Sequence, residues 1–292
     1  MASGEEEFRE IFDGEGYVDL ERLQEISQHG IPEAVRSPAW AHLLGIGDES
    51  MQRQLRKDFD EILTKASLSV EEERTLMGYI KRYRPHIAFF QNEKVRSTMH
   101  RVALAVCYQC SPSTYIHDGL LNPKLVSLVG PFVYLLPSPE QAFYCVSALI
   151  RRLDRLFMSI PLSTLVGQFM MLFRSVLPEL CTYFQAQELE DDLWAFSWLQ
   201  YLFGKELPLP CILRLWDTYL SVDNILDLHI YVCLAVLSHT SEELMELEES
   251  ELTGFLQHLP WMDMDEILVH AQTIREESKF RDLIPDIQPP PQ

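Results

Sequence analysis

The chain has 292 residues, 47% of them apolar, a size and composition that suit one large globular domain or two closely fused ones. Its 44 carboxylates against 24 Lys and Arg side chains give a formal charge of −20, so its average surface repels phosphate backbones and anionic lipid heads, and nucleic acid is not an expected partner. No phosphate loop, dinucleotide turn, nucleophile elbow or HExxH helix is present and the histidines are scattered, so neither a resident metal nor a self-contained catalytic set is expected.

The start, "MASGEEEFREIF", lacks the basic and apolar regions of a secretory signal, which leads to the expectation of a cytoplasmic protein. Asp19 is placed to cap a helix in which Leu20, Leu23 and Ile26 share a face, with Gly30 as its stop before Pro32. The stretch "VSLVGPFVYLLPSPEQAFYCVSALI" is divided by Pro131, Pro137, Pro139 and Glu140 into pieces too short to span a bilayer, and reads as two core segments joined by a turn. Within it "PFVYLL" has the composition of a short strand, although no partner run lies nearby.

Farther on, "LVGQFMMLFRSVL" reads as a helix ending at Pro178, and "ILDLHIYVCLAVLS" as a helix apolar all round, hence buried. Pro32, Pro38, Pro85, Pro112, Pro137, Pro161, Pro178 and Pro208 are expected between helices or in their first turns. The six cysteines suit reduced, mostly buried thiols, and "CYQC" has no second CxxC to complete a zinc site. Acidic runs such as "EELMELEESE" read as solvated helix faces. The pattern as a whole is all-α, built from many short helices.

Against this acidic background "RYRPHIAFF" is basic. Arg82 and Arg84, with Lys81 and His86 beside them, precede an aromatic pair, and Arg96 and Arg101 follow on the next helix. Two readings are open: guanidinium groups covering apolar surface or pairing with local carboxylates, or an arginine offered in trans to a partner's nucleoside triphosphate.

Several motifs, in order, resemble those of the TBC domain, the all-helical module of Rab GTPase-activating proteins. They are "GIPEAVRSPAWAHLLGI", "PSPEQAFYCVSALI", "LPEL" with "FQ", "AFSWLQYLFGKELPLPCILRLWDTYL" and "FLQHLPWMDMDEIL". The resemblance implies a two-subdomain, multi-helix fold with an N-terminal helical extension at 1–29, the TBC domain at 30–275 and a tail at 276–292. Apart from the resemblance, Trp40, Trp198 and Trp216 lie in apolar helical segments and read as core residues, and Arg36 and Asp217 read as structural, candidates for a buried or half-buried pairing that fixes helix ends.

The family's I-x-x-D-x-x-R segment, which supplies an arginine finger, is similar to Leu76, Tyr79 and Arg82, followed by Pro85, Phe89 and Phe90. Arg82 therefore matches the finger, and Tyr79 stands where the family has aspartate. A competing overlay on "LRKDFDE" keeps Asp58 but puts Glu61 at the arginine position. In the family's Y-x-Q-G-M motif Tyr115 matches the tyrosine, and His117, or Asp118 when Gly119 is aligned, stands at the position of the water-orienting glutamine.

The function implied is activation of a Rab-type GTPase in membrane traffic, by a regulator with no substrate turnover of its own. Arg82 and His117 would be catalytic, and Arg84, His86, Tyr115 and Asp118 would bind the partner. No cofactor would be its own, since GTP and Mg2+ would be carried by the GTPase, and recruitment to endomembranes would be peripheral. The alternative implied by the two exchanges is a TBC-like scaffold without activity.

Overall fold

The Asp19 carboxylate accepts the Arg22 amide at 3.0 Å, and the helix that it caps gives way at Gly30, whose φ of 99° costs little only for glycine. A computed structural model describes residues 2–14, 18–47, 52–110, 116–117, 120–189 and 191–280. Its elements, in order, are α1 (Ala2–Phe12), α2 (Leu20–Ser27), α3 (Glu33–Leu43), α4 (Gln52–Lys65), α5 (Val70–Arg82), α6 (Ala88–Gln91), α7 (Glu93–Gln109), β1 (Ile116–His117), β2 (Leu120–Leu121), α8 (Val126–Leu135), α9 (Pro139–Ser159), α10 (Leu162–Val176), α11 (Pro178–Ala186), α12 (Asp191–Tyr201), α13 (Leu209–Ser221), α14 (Ile225–His239), α15 (Ser241–Leu244), α16 (Glu249–Gln257) and α17 (Met264–Phe280). The fold is all-α, and among the described residues the only strand pairing is the short antiparallel hairpin β1–β2.

The chain divides into two compact units. One comprises Met1–Asp154 with Trp216–Val222, and the other Arg155–Leu215 with Asp223–Gln292. In the first, Trp40, Phe132 and Trp216 are buried together, with ring centroids 5.3 to 6.0 Å apart. Edge-to-face and tilted rings of this kind add to the stabilisation from burial alone. The segment expected as a possible strand, "PFVYLL", is helical in α8 up to Leu135, with Leu136 as the C-cap. Among the described residues no strand pairs with it, so its backbone N–H and C=O groups are satisfied locally, and a helix does that within one segment.

Pro38 also departs from expectation, because it lies inside α3 rather than at its start. It removes the bond to the Ala34 carbonyl one turn earlier, but both residues are exposed, so water takes that acceptor and the helix continues. Pro131 is likewise internal to α8.

In the second unit α14 is buried around nearly its whole circumference and α17 packs along it. Phe169, Phe173, Phe184, Trp194, Trp198 and Phe203 form a continuous run of ring contacts, and the Trp198 indole N–H donates to the Leu256 carbonyl at 2.9 Å. Leu202 and Phe203 follow α12 with φ of 50° and 59°, a strained pair held by burial of both side chains. Among the described residues no single helix is long and apolar enough to cross a membrane.

His229 sits fully buried on α14, its Nε2 2.8 Å from the Trp198 carbonyl oxygen, to which it must donate. Burial lowers its pKa to about 4. The unfolded chain therefore takes up a proton near pH 6.5 that the folded chain refuses until about pH 4, and stability contributed by the neutral ring is lost as pH falls through that window. The loss amounts to about 3 kcal/mol. His229→Gln keeps a donor for the carbonyl and has no proton to gain, so its urea midpoint should fall less steeply than the wild type's between pH 6.5 and 4. Parallel profiles for the two proteins would refute this.

Candidate functional site

The basic segment begins on α5, whose start is fixed by a reciprocal cap. Ser69 accepts the Glu72 amide, and the Glu72 carboxylate accepts the Ser69 amide at 2.7 Å. Leu76 and Ile80, one turn apart, are fully buried, and this leaves Tyr79 half-buried and Arg82 exposed at the last helical position. A cation is favoured there by the carbonyl end of the helix. The chain then reverses through Arg84, whose φ of 44° lies in the left-handed region, an arrangement made costlier by the proline that follows.

What holds this reversal is aromatic. Tyr83 is buried, 4.9 Å from the Phe90 ring, and Phe90 contacts Phe89, which in turn meets Tyr134 of α8. The Arg84 guanidinium lies over the Tyr83 ring, and its Nε donates to the Tyr83 hydroxyl at 3.2 Å. Arg96 on α7 donates through Nε to the Phe90 carbonyl at 3.2 Å and through Nη2 to the Gln91 side chain, while the Gln91 amide reaches the Arg84 carbonyl at 3.5 Å. One arginine thus ties α7 to α6 and, through Gln91, to the reversal behind Arg82.

The Tyr83 ring rests on Gly130 in α8. A Cβ there would stand 2.3 to 2.4 Å from Tyr83 ring and hydroxyl atoms. Glycine to alanine inside a helix ordinarily stabilises by about 0.5–1 kcal/mol. Here the sign is expected to reverse: Gly130→Ala should lower stability by about 1–3 kcal/mol, because the ring pinned by Phe90 and Arg84 has to move. Thermal unfolding checks this, and a variant as stable as the wild type would show that the ring shifts freely.

Arg82 differs from its neighbours. Its guanidinium carbon lies 5.1 Å from the centre of the Tyr79 ring, and among the described residues no carboxylate is within ion-pair distance of it. Lys81 and His86 are exposed on the same stretch, whereas Arg84, expected at the partner surface, is buried. The competing segment at Asp58 and Glu61 lies on α4, where Asp58 accepts from Gln54 and Glu61 pairs with Lys65.

β1 carries His117, paired in register with Leu120, and β2 neighbours α5, so the hairpin and the helix bearing Arg82 come together. Tyr115 and Asp118 lie outside the described residues.

Beneath the first unit's tryptophans, Asp217 is fully buried and accepts four contacts: Ile31 N–H at 2.9 Å, Trp40 Nε1 at 2.7 Å, and Arg36 Nε at 3.1 Å from each oxygen. Arg36 Nη2 also donates to the Ile31 carbonyl at 2.6 Å. Burial raises the Asp217 pKa to about 6, while Arg36 and the N–H donors pull toward the charged form. Gly130 and Gln91 escaped the reading of the sequence, which named Arg96 as a basic residue of the next helix but not as the tie to Phe90 and Gln91; the signal for Gly130 was a glycine inside an apolar run.

Residues 33–245 match the Rab-GTPase-TBC domain family, RabGAP-TBC. TBC1 domain family member 22B of Homo sapiens is 26% identical over 313 residues, covering 95% of this chain and 62% of that protein. GTPase-activating protein gyp1 of Schizosaccharomyces pombe is 25% identical over 282 residues, covering 84% of this chain and 55% of its own length. The chain thus spans less than two-thirds of these curated relatives. The crystal structure of the Ypt/Rab-GAP domain of Gyp1p superposes with a TM-score of 0.77 at 22% identity, over 96% of this chain and 99% of that one, which shows a shared fold. With the family model covering most of its length, this chain belongs to the Rab-GTPase-TBC domain family.

Proposed function

We propose that this protein binds a Rab-type GTPase in its GTP form and accelerates hydrolysis by presenting Arg82 in trans. The observation that carries the proposal is an exposed guanidinium at the end of α5, without a carboxylate partner among the described residues, in a chain of this family. Charge that develops on the transferring phosphoryl group is stabilised by such a group. GTP and Mg2+ are supplied by the GTPase, and the protein acts from the cytoplasm on GTPases resident on endomembranes.

Residues 111–125 contain no glutamine. The water is therefore oriented by the GTPase's own glutamine, with His117, on the hairpin whose other strand neighbours α5, as the candidate of this chain. His86 contributes to docking, as do Tyr115 and Asp118, and Arg84 acts through the turn that it stabilises. Single-turnover GTP hydrolysis across a panel of Rab-type GTPases, with the wild type and Arg82→Ala, tests the proposal, and a wild type that accelerates none of them refutes it.

The exchanges at Tyr79 and His117 favour one second reading, a scaffold that binds the GTPase without activating it. That reading expects capture of a GTP-loaded Rab protein, undiminished by Arg82→Ala and without faster hydrolysis.

A further inference from the structure

Resting on the reading of Arg82 as the finger, we propose that Tyr79 is its positioning residue, an aromatic face that holds the guanidinium in place while leaving its hydrogen-bond donors available. Tyr79 and Arg82 are three residues apart on α5 and so lie on one face, and side chains on a helix lean back toward its start. Arg82 follows that lean. Its Cζ is 5.1 Å from the Tyr79 ring centre, and Nη1 and Nη2 are 3.5 and 3.6 Å from where a Cβ on Gly78 would stand. The guanidinium is therefore folded over its own helix, seated on one ring beside a residue without a side chain.

The chemistry of the seat matters. A carboxylate at position 79 would engage the planar fork through its N–H groups, the donors that phosphate oxygens need. A ring takes a face of the cation and leaves the five N–H donors around its edge. Two other arginines of the first unit lie over rings at 5.3 Å, and both also have polar partners: Arg84 with the Tyr83 hydroxyl and Arg101 with Asp60. Arg82 has no such polar partner among the described residues, which sets it apart as the arginine whose ring contact is not accompanied by a hydrogen bond or ion pair there.

The test has one arm in the free protein and one in catalysis. By NMR, the Arg82 Nε–Hε resonance, assigned by its loss in Arg82→Lys, is expected to carry a ring-current shift that persists in Tyr79→Phe and in Gly78→Ala and vanishes in Tyr79→Leu. In single-turnover hydrolysis Tyr79→Leu should lower the maximal rate about two- to five-fold, the range available from one cation–π contact, at an unchanged half-saturating concentration. Tyr79→Phe should keep both quantities. An Arg82 resonance indifferent to Tyr79→Leu overturns the inference. So does Tyr79→Phe behaving like Tyr79→Leu, or Tyr79→Leu matching or exceeding the wild-type rate while Arg82→Ala abolishes it. A wild type that accelerates no GTPase refutes the functional reading instead, and the NMR arm then decides on its own whether Tyr79 holds Arg82.

Discussion

Arg82→Ala is expected to reduce the GTP hydrolysis that this protein stimulates in its partner GTPase by about 10³-fold or more, the scale on which an arginine supplied in trans acts. Binding should hardly change. A finger interacts with charge that exists only in the transition state, so the maximal rate falls while the half-saturating concentration stays within about two-fold. Arg82→Lys keeps the charge and loses the planar fork, and should recover only a small part of the rate. Arg84→Ala provides the contrast two residues away. Arg84 is buried, stacked on Tyr83 and bonded to its hydroxyl, so its loss should lower stability by about 1–2 kcal/mol rather than abolish activity in protein that remains folded. Equal kinetic losses in the two variants would mean that the turn as a whole, and not the Arg82 guanidinium, carries the function.

Why one arginine of the pair faces water and the other does not was only half legible in the sequence. The motif order points to Arg82, and the structure, by burying Leu76 and Ile80 on α5, leaves that residue off the buried face. Arg84 reads as an equally exposed cation until the backbone is seen to turn at φ 44° and the guanidinium to lie over the buried Tyr83 ring. That turn depends on Gly130, about fifty residues on, and on Arg96 of α7, and contacts between separate elements leave no periodic trace in a chain. The helices themselves were legible where burial is complete, as in α14, or where a cap marks the start, as Asp19 does for α2, although there Leu20 is exposed and Ser27 is buried beside Leu23. They were misread where a β-prone run lacked a strand to pair with, in α8, and where an exposed proline could leave its orphaned carbonyl to water, in α3. The exchange of aspartate for Tyr79 was visible as a letter, but its meaning needed the distance from ring to guanidinium.

Asp217→Asn is expected to destabilise the protein by about 3–5 kcal/mol, measured by urea unfolding, because it leaves the largely buried Arg36 without a counter-charge. Asparagine also turns an NH2 group toward donors: one of the two carboxylate positions that accept Ile31 N–H, Trp40 Nε1 and Arg36 Nε becomes a donor itself. For a simple buried ion pair, replacing both partners with apolar residues restores much of the loss. Here it should not. In an Arg36→Met, Asp217→Leu double variant, Ile31 N–H and Trp40 Nε1 still point into the site with nothing to accept them, at about 1–3 kcal/mol for each orphaned donor. The double variant should therefore stay at least about 2 kcal/mol below the wild type. Recovery to wild-type stability would mean that Asp217 serves Arg36 alone. A persistent deficit would identify it as the acceptor that joins α13 to α3 and to the backbone turn at Ile31, within the same unit that carries α5 and Arg82.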